Sequence, residues 1–286
     1  MLSIVLGFAS SVVYGFADFF GAIASRKINA MLVTLVAGVS GLVFLLFLSP
    51  FFGLPMNPSA MFWGGLAGVV SAVAITALYA SLAIGPISII SPLGAIMSAL
   101  VPMAFGFFFI GERFSTGGVL ALIGILIAVG LVGFVPGKDV RLPTLKGLLL
   151  GITAGSSIGV LLICIDQAPA DSGLTPVVFL RAFSIVGIAL MMLANRARGN
   201  RVEFTGHDKK AWQATILAGV MDSTANILFL NAMRAGELTI VAVLTALYPL
   251  GTIILARIFL KEKIAKVQLA GVLLALSCSA LLASGI

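Results

Sequence analysis

Long runs of apolar residues, separated by short polar connectors, constrain this 286-residue chain more than any other feature. Hydrophobic residues make up 60% of the sequence and charged residues only 9%, a balance that a water-soluble globule does not show. A helix needs about 20 apolar residues to cross the hydrocarbon core of a bilayer. The length therefore allows about ten membrane crossings and leaves no room for a sizeable domain outside the membrane.

The apolar runs predict an all-α membrane protein of about ten transmembrane helices. Glycines, prolines and charged residues separate the runs. The predicted spans are 2–23, 31–52, 61–83, 86–110, 117–135, 145–165, 174–194, 211–231, 237–260 and 267–285. We expect the first run to be a retained helix rather than a secretory signal, because no basic residue precedes it and it is too long for a signal core.

The basic residues predict the orientation of the chain in the membrane. Thirteen lysines and arginines lie in the connectors after the first, fifth, seventh and ninth spans, whereas the opposite connectors hold only Arg113 and Arg234. Because basic connectors are retained in the cytoplasm, both termini are predicted to face outward. This distribution also accounts for the net charge of +7, so the charge does not indicate a nucleic-acid partner.

The sequence does not predict an enzyme, a metal site or a cofactor site. Cys164 and Cys278 lie inside apolar runs and His207 lies in a charged connector, with no spacing typical of metal ligands. No glycine-rich loop with lysine and serine or threonine is present to hold a nucleotide phosphate. The intramembrane carboxylates are scattered rather than clustered as catalysis requires.

An internal repeat divides the chain into two halves, residues 1–136 and 143–286. In each half a proline is followed 22 residues later by a glycine, Pro102 by Gly124 and Pro249 by Gly271. Each interval crosses one span, a charged turn and half of the next span. Since five spans per half is an odd number, the second half is predicted to enter the membrane in the opposite direction.

These features resemble the ten-helix branch of the drug/metabolite transporter superfamily, which has two EamA-type halves. The resemblance covers nearly the whole chain and is carried by Tyr14, Gly15, Arg181, Pro249, Glu262 and Gly271. The first half departs from the pattern, because Glu112 comes about one helical turn early and Leu35 stands where an arginine would match Arg181.

The resemblance implies secondary transport of small metabolites across the cytoplasmic membrane. In such families this is usually efflux of amino acids or drug-like compounds by alternating access, driven by an ion gradient or by exchange. The implied partners are a small-molecule solute and membrane lipid, and the protein would be a monomer or a homodimer. The alternative is uptake of a sugar or another neutral polar solute. A channel or a non-transporting scaffold fits an inverted repeat less well.

Asp18 is the first candidate for solute binding, because a charge at membrane depth is costly unless it is paired or lines water. Ser11 and Tyr14 precede it by seven and four residues, which places all three on one helix face. The carboxylate would attract a cation or carry a proton. Alternatively, it pairs locally with Arg26 or Lys27.

Asp222, Asn226 and Arg181 are further candidates within spans. Asp222 and Asn226 are four residues apart and share a helix face, which would either contact solute or link helices. Arg181 would bind a solute carboxylate through its fork of donors, or act as the structural counterion of Asp18, Asp166 or Asp222.

Prolines and tyrosines at membrane depth complete the candidates within the apolar runs. Pro92, Pro102 and Pro249 free backbone carbonyls, and the resulting kinks would serve as gates or as static packing bends. Tyr79 and Tyr248 would contact the solute or belong to an interfacial aromatic belt.

Two glutamates, Glu112 and Glu262, occupy charged turns, one in each half. Both lie next to basic residues. A local ion pair is therefore the ordinary expectation for each, with a gating or structural role.

Overall fold

The computed structural model describes residues 1–25, 27–84, 87–133, 144–198, 208–248, 251, 255, 258 and 265–283. These residues are predominantly α-helical and contain no β-strand. An α-helix satisfies its backbone hydrogen bonds within one segment, which is what a chain in hydrocarbon requires. Seven of the helices are long and apolar enough to cross a membrane. The predicted fold class, an all-α membrane protein, is confirmed.

The described helices follow the predicted spans closely. In chain order they are α1 (Leu2–Ser25), α2 (Ala30–Phe52), α3 (Pro58–Ile84), α4 (Ile87–Phe105), α5 (Thr116–Gly133), α6 (Leu145–Asp166), α7 (Thr175–Ala197), α8 (Lys209–Ala235), α9 (Leu238–Thr245) and α10 (Lys266–Ala283). A π-helical turn, Gly106–Ile110, continues α4. It ends at Gly111, whose φ of 82° lies in the left-handed region that favours glycine.

The α-helix that begins the ninth predicted span, 237–260, is short. α9 ends at Thr245, and the amide of Tyr248 then donates to the Thr245 carbonyl at 3.1 Å, a tighter three-residue bond. Pro249 lies outside the described residues.

Side-chain caps fix the starts of three helices. The Asn29 carbonyl oxygen accepts from the amide of Met31 at 3.0 Å to cap α2, and the Thr144 hydroxyl accepts from Gly147 at 3.1 Å to cap α6. The Asp208 carboxylate accepts from the amide of Lys210 at 2.9 Å to cap α8. Each cap satisfies amides that have no partner inside the helix.

The helices pair in a symmetric pattern. The most extensive packing joins α1 to α8, α3 to α6, α3 to α7, α2 to α8, α4 to α6, α1 to α9, α2 to α7, α4 to α9 and α5 to α10. Exchanging helices α1–α5 with α6–α10 converts this set of pairs into itself. Such a pattern is what two structurally equivalent five-helix halves produce when they pack against each other.

Glycines allow two of these pairs to approach closely at equivalent places. A Cβ on Gly64 in α3 would overlap the Pro176 backbone in α7, and a Cβ on Gly219 in α8 would overlap the Ala37 backbone in α2. Small residues at helix contacts let backbones meet, which is the main source of packing energy between helices in lipid. Backbone contacts thus join α3 to α7 and α2 to α8.

Large apolar side chains cover the outside of the bundle. On α2 and α7 they include Val43, Phe47, Val186 and Leu190, all of which are exposed. In water a protein with such an apolar surface would aggregate, whereas lipid tails are apolar and can cover it. The chain is therefore a multi-pass membrane protein. Its described polar side chains lie mostly inside the bundle or at the ends of the helices.

Candidate functional site

Asp18 lies inside the bundle, about 10 Å from the C-terminal end of α1 by helical rise. Its side chain is exposed to contact with water-sized molecules, although its neighbours Ala17 and Phe19 are buried. We call the accessible space at the Asp18 side chain the interior cavity.

Two tyrosines border Asp18 in the interior cavity. Tyr14 lies one helical turn earlier on α1, and Tyr248 follows α9. Both side chains are half-buried, and the phenol of each interacts electrostatically with the Asp18 carboxylate. Ser11 turns away from this group, because it is buried and its hydroxyl donates to the Phe8 carbonyl at 2.7 Å.

Arg181 on α7 forms an ion pair with Asp222 on α8. The arginine side chain is only 12% exposed, and the aspartate is 33% exposed. Asn226, one turn further along α8, donates to the Asp222 carboxylate at 3.1 Å and to its backbone carbonyl at 2.7 Å. Of the three carboxylates considered as partners for Arg181, the structure pairs it with Asp222.

Arg181 also joins this ion pair to the tyrosine side of the cavity, because its guanidinium interacts electrostatically with Tyr14. α1, α7, α8 and the turn after α9 therefore bring six predicted site residues into one cluster. These residues are Tyr14, Asp18, Arg181, Asp222, Asn226 and Tyr248. Such a cluster offers a small molecule the Asp18 carboxylate, the ion pair of Arg181 with Asp222, and two phenols.

Other predicted residues lie elsewhere or are not described. Pro102 is buried within α4 and packs toward Gly159 of α6, where a Cβ on the glycine would lie 3.0 Å from the proline ring. Pro249 and Glu262 lie outside the described residues, as do the side chains of Tyr79 and Pro92.

Glu112 differs from the expectation of a local ion pair. Its side chain is 8% exposed, and its carboxylate accepts from the Thr239 amide at 3.2 Å and from the Thr239 hydroxyl. Because Thr239 lies in the first turn of α9, Glu112 caps a helix of the other half. The neighbouring Arg113 donates instead to the carbonyls of Phe107 and Glu112, at 3.1 and 3.0 Å. We call the Glu112 contact the Glu112–Thr239 tie.

A cavity of about 360 Å³ lies beside this tie, at the end of the bundle where α4, α6 and α8 finish. It is lined by Ile110, Gly111, Glu112, Asp166, Gly236, Glu237 and Leu238. Burial raises the pKa of the Glu237 carboxyl above its usual value, and the Glu112 carboxylate adds to the shift. Three carboxyl groups thus make this end of the protein acidic.

At the opposite end of the bundle, Lys27 forms an ion pair with Asp208. Lys27 precedes α2 and Asp208 caps α8, so this contact also links the two halves. Hydrogen bonds from Lys27 and from the Ala211 and Lys210 amides lower the pKa of Asp208. Lys27 is therefore not the local partner of Asp18 that the sequence suggested. Arg26, the other suggested partner, lies outside the described residues. We call the ion pair between Lys27 and Asp208 the Lys27–Asp208 tie.

Sequence reasoning missed both ties for the same reason. Their partners are 127 and 181 residues apart, and no pattern in a single sequence links them. The sequence did contain one signal for the Lys27–Asp208 tie. Asp208 directly precedes Lys209, where α8 begins, and aspartate is a typical N-terminal cap of a helix. Among the described residues, no group of three or more His, Cys, Asp and Glu could hold a metal ion.

Comparison with known proteins agrees with this architecture. Residues 145–284 match the EamA-like transporter family. A solved crystal structure of another protein is similar to this chain with a TM-score of 0.78, covering 98% of this chain and 96% of that chain at 14% sequence identity. At that identity the likeness concerns the fold alone. No curated protein matches the sequence at a significant level.

Proposed function

The chain belongs to the EamA-like transporter family, and from that premise we propose that it is a secondary active transporter of a small solute in the cytoplasmic membrane. The observation that carries the proposal is the accessible Asp18 side chain, which lies between the buried residues Ala17 and Phe19 in an apolar helix. A charged group is tolerated at that depth when it faces water or a ligand. Solute sites of such transporters lie at the interface between the repeated halves.

The proposed halves are residues 1–136 and 143–286, inserted in opposite directions. Their symmetric helix pairing supports this division, because each half contributes equivalent helices to the interface. Asp18 and Tyr14 come from the first half, whereas Arg181, Asp222 and Tyr248 come from the second. A rocking motion of one half against the other would open the cavity to one side of the membrane at a time.

The two ties are proposed to act as the gates of this motion. With the basic connectors facing the cytoplasm, the Lys27–Asp208 tie lies at the inner face and the Glu112–Thr239 tie at the outer face. Each tie joins one half to the other, so opening either face requires that one tie break. Both ties are formed in this structure, as expected of an arrangement closed at both faces.

The family resemblance favours efflux of amino acids or drug-like compounds, and the cavity supplies groups for coupling. Asp18 and Asp222 are the carboxylates that a proton would bind during exchange with the solute. While Asp222 is ionised, Arg181 holds it in place and Asp18 contacts the solute. Uptake of a neutral polar solute is the competing function, and the probes below separate the two.

Counterflow in liposomes tests the transport proposal. Purified protein is reconstituted, and uptake of radiolabelled phenylalanine, phenethylammonium and glucose is measured against the same unlabelled compound inside. We expect saturable counterflow of phenylalanine or phenethylammonium that protein-free liposomes lack. Counterflow of glucose alone would support the uptake alternative, and absence of counterflow for all three contradicts the proposal.

Cross-linking tests the gating proposal. Lys27→Cys combined with Asp208→Cys places two thiols at the inner tie, and the native Cys164 and Cys278 are buried. Oxidation is expected to abolish counterflow, and a reductant is expected to restore it. Asp208→Cys alone is the matched control and keeps its flux under oxidation. Full flux in the oxidised double variant would contradict a gate at this position.

A further inference from the structure

We infer that the end of the bundle that carries the Glu112–Thr239 tie opens on one side only. On the other side, the contact between the α2–α3 connector and the α6–α7 connector stays closed and serves as the pivot of the motion. We call this contact the connector clasp, and it consists of Gly53, Pro55, Gly173, Leu174 and Thr175. The inference rests on the proposed function in one respect, since it takes the tie to be a gate.

The helices form a ring in which the connector clasp and the Glu112–Thr239 tie lie far apart. Packing runs from α1 to α8, α2, α7, α3, α6, α4 and α9, and then returns to α1. Along this ring the contact of α2 with α7 lies opposite the contact of α4 with α9. The clasp lies at one end of the α2–α7 contact, and the tie lies at the same end of the α4–α9 contact. One side can therefore act as a pivot while the other opens.

The connector clasp joins the two halves through their backbones. The Leu174 amide donates to the Gly53 carbonyl at 2.9 Å, and the Thr175 hydroxyl donates to the Pro55 carbonyl at 2.6 Å. Gly53 and Gly173 have φ values of 79° and 53°, in the left-handed region that favours glycine. A Cβ on Gly173 would overlap the Gly53 carbonyl, so the two connectors lie as close together as glycine allows.

Arg234 and the helices below the connectors strengthen the connector clasp. Arg234 lies in the last turn of α8, and its guanidinium donates to the Gly173 carbonyl at 2.7 Å and to the Ser172 hydroxyl at 3.3 Å. Hydrogen bonds from a charged donor are stronger than neutral ones. A Cβ on either Gly64 or Gly68 of α3 would overlap the α7 backbone. Opening on this side would therefore break several hydrogen bonds and separate closely packed helices.

The Glu112–Thr239 tie is built differently. A single side chain bridges the two halves there, and a cavity of about 360 Å³ lies beside it. Three carboxyl groups line that cavity, those of Glu112, Asp166 and Glu237. Charged groups are solvated better by water than by protein. Opening on this side therefore breaks one side-chain contact and admits water to groups that water solvates well.

Hydrogen exchange at two matched amides tests which side opens. The Leu174 and Thr239 amides both lie at the start of a helix, belong to buried residues and donate from one half to the other. Exchange is measured residue by residue in nanodiscs, by mass spectrometry with electron-transfer fragmentation, and is corrected for intrinsic rates. We expect Thr239 to exchange at least about tenfold faster than Leu174, because the tie opens while the clasp stays closed. Equal rates, or a faster rate at Leu174, would overturn the inference.

Three variants assign each rate to its contact. Arg234→Gln is expected to speed exchange at Leu174 by about tenfold and to leave Thr239 unchanged, because it removes a charged donor from the clasp. Glu112→Gln is expected to speed exchange at Thr239 alone. Arg196→Gln, in the last turn of α7 at the opposite end, is the control and should change neither rate. Equal changes at both amides in Arg234→Gln or Glu112→Gln would show that the two contacts open together, against the inference.

Cross-linking extends the test to transport. Pro55→Cys with Thr175→Cys places two thiols across the clasp, and Glu112→Cys with Thr239→Cys places two across the tie. A short bifunctional methanethiosulfonate reagent links each pair, and counterflow in liposomes is the readout. We expect the protein linked at the clasp to keep most of its flux and the protein linked at the tie to lose it. Thr175→Cys alone and Thr239→Cys alone, treated with the same reagent, are the controls and should keep their flux.

The results separate this inference from the transport proposal. Loss of flux in the protein linked at the clasp, with flux intact in its control, would overturn the pivot and leave the transporter in place. Absence of counterflow in every form of the protein, together with the expected difference in exchange, would reject transport and keep the pivot.

Discussion

Removal of the Asp222 charge by Asp222→Asn is expected to destabilise the protein more than removal of its partner. The variant leaves the Arg181 guanidinium, which is 12% exposed, without its counterion. Breaking a buried pair on one side costs about 3–5 kcal/mol, and the low exposure of Arg181 leaves little relief from water. We therefore expect a loss of about 3 kcal/mol in the free energy of unfolding.

The reverse change, Arg181→Met, is expected to cost less. It leaves the Asp222 carboxylate, which is 33% exposed toward the cavity and still accepts a hydrogen bond from Asn226. Water in the cavity and this bond compensate part of the lost attraction, so we expect a loss of about 1–2 kcal/mol. The asymmetry follows directly from the different exposures of the two partners.

The double variant Arg181→Met with Asp222→Asn completes the thermodynamic cycle. Both charges are then absent, so its loss is expected to fall short of the sum of the single losses by about 1 kcal/mol or more. Unfolding in mixed micelles of increasing SDS content, followed by the fluorescence of Trp63 and Trp212, measures each free energy. Additive losses, or a larger loss for Arg181→Met than for Asp222→Asn, would refute the reasoning.

Three further changes test other parts of the structure by unfolding. Gly155→Ala places a Cβ against the Gly94 backbone and is expected to cost about 1–3 kcal/mol, whereas Gly94→Ala, whose Cβ meets no atom within 4 Å, is the control and should cost much less. Asp208→Asn is expected to destabilise the protein at neutral pH, and the difference should vanish as pH falls below 3.8 through the lowered pKa of Asp208. Glu237→Gln is expected to stabilise it at neutral pH, because the raised pKa means that ionised Glu237 is disfavoured on folding, and this gain should disappear below 4.5. A neutral-pH loss for Gly94→Ala equal to that for Gly155→Ala, or pH-independent differences for the two carboxyl variants, would contradict these expectations.

The fold could be predicted from the sequence because every span in lipid must be apolar and must satisfy its own backbone hydrogen bonds. The predicted spans 31–52 and 174–194 correspond to Ala30–Phe52 and Thr175–Ala197. The ninth span, 237–260, contains a break that its apolar character does not reveal, because α9 ends at Thr245. Hydropathy indicates whether a segment lies in lipid, and it does not indicate where an α-helix is interrupted.

The candidate site was only partly accessible to sequence reasoning. Asp18, Arg181 and Asp222 could be identified because each is a charge inside an apolar run. Which carboxylate pairs with Arg181 depends on how α7 packs against α8, and three candidates remained equivalent until the fold was known. The role of Glu112 was missed because a local explanation was available, whereas its partner Thr239 lies 127 residues away.

The orientation of the chain remains a prediction that labelling can test. Arg198 lies at the end of α7 on the basic side, and Asp171 lies in the connector at the opposite end. In intact cells an impermeant thiol reagent is expected to modify Asp171→Cys and not Arg198→Cys. The opposite result would invert the assignment of the two ties to the membrane faces and leave the interior cavity unchanged.

The most direct measurement is the reactivity of a thiol at position 18 toward a charged, water-soluble methanethiosulfonate reagent. Asp18→Cys is compared with Val43→Cys, whose native side chain is 62% exposed but faces the lipid side of α2. A hydrated cavity between the two halves predicts modification of Asp18→Cys and none of Val43→Cys in liposomes. Equal reactivity at the two positions, or an inert thiol at position 18, would contradict the account.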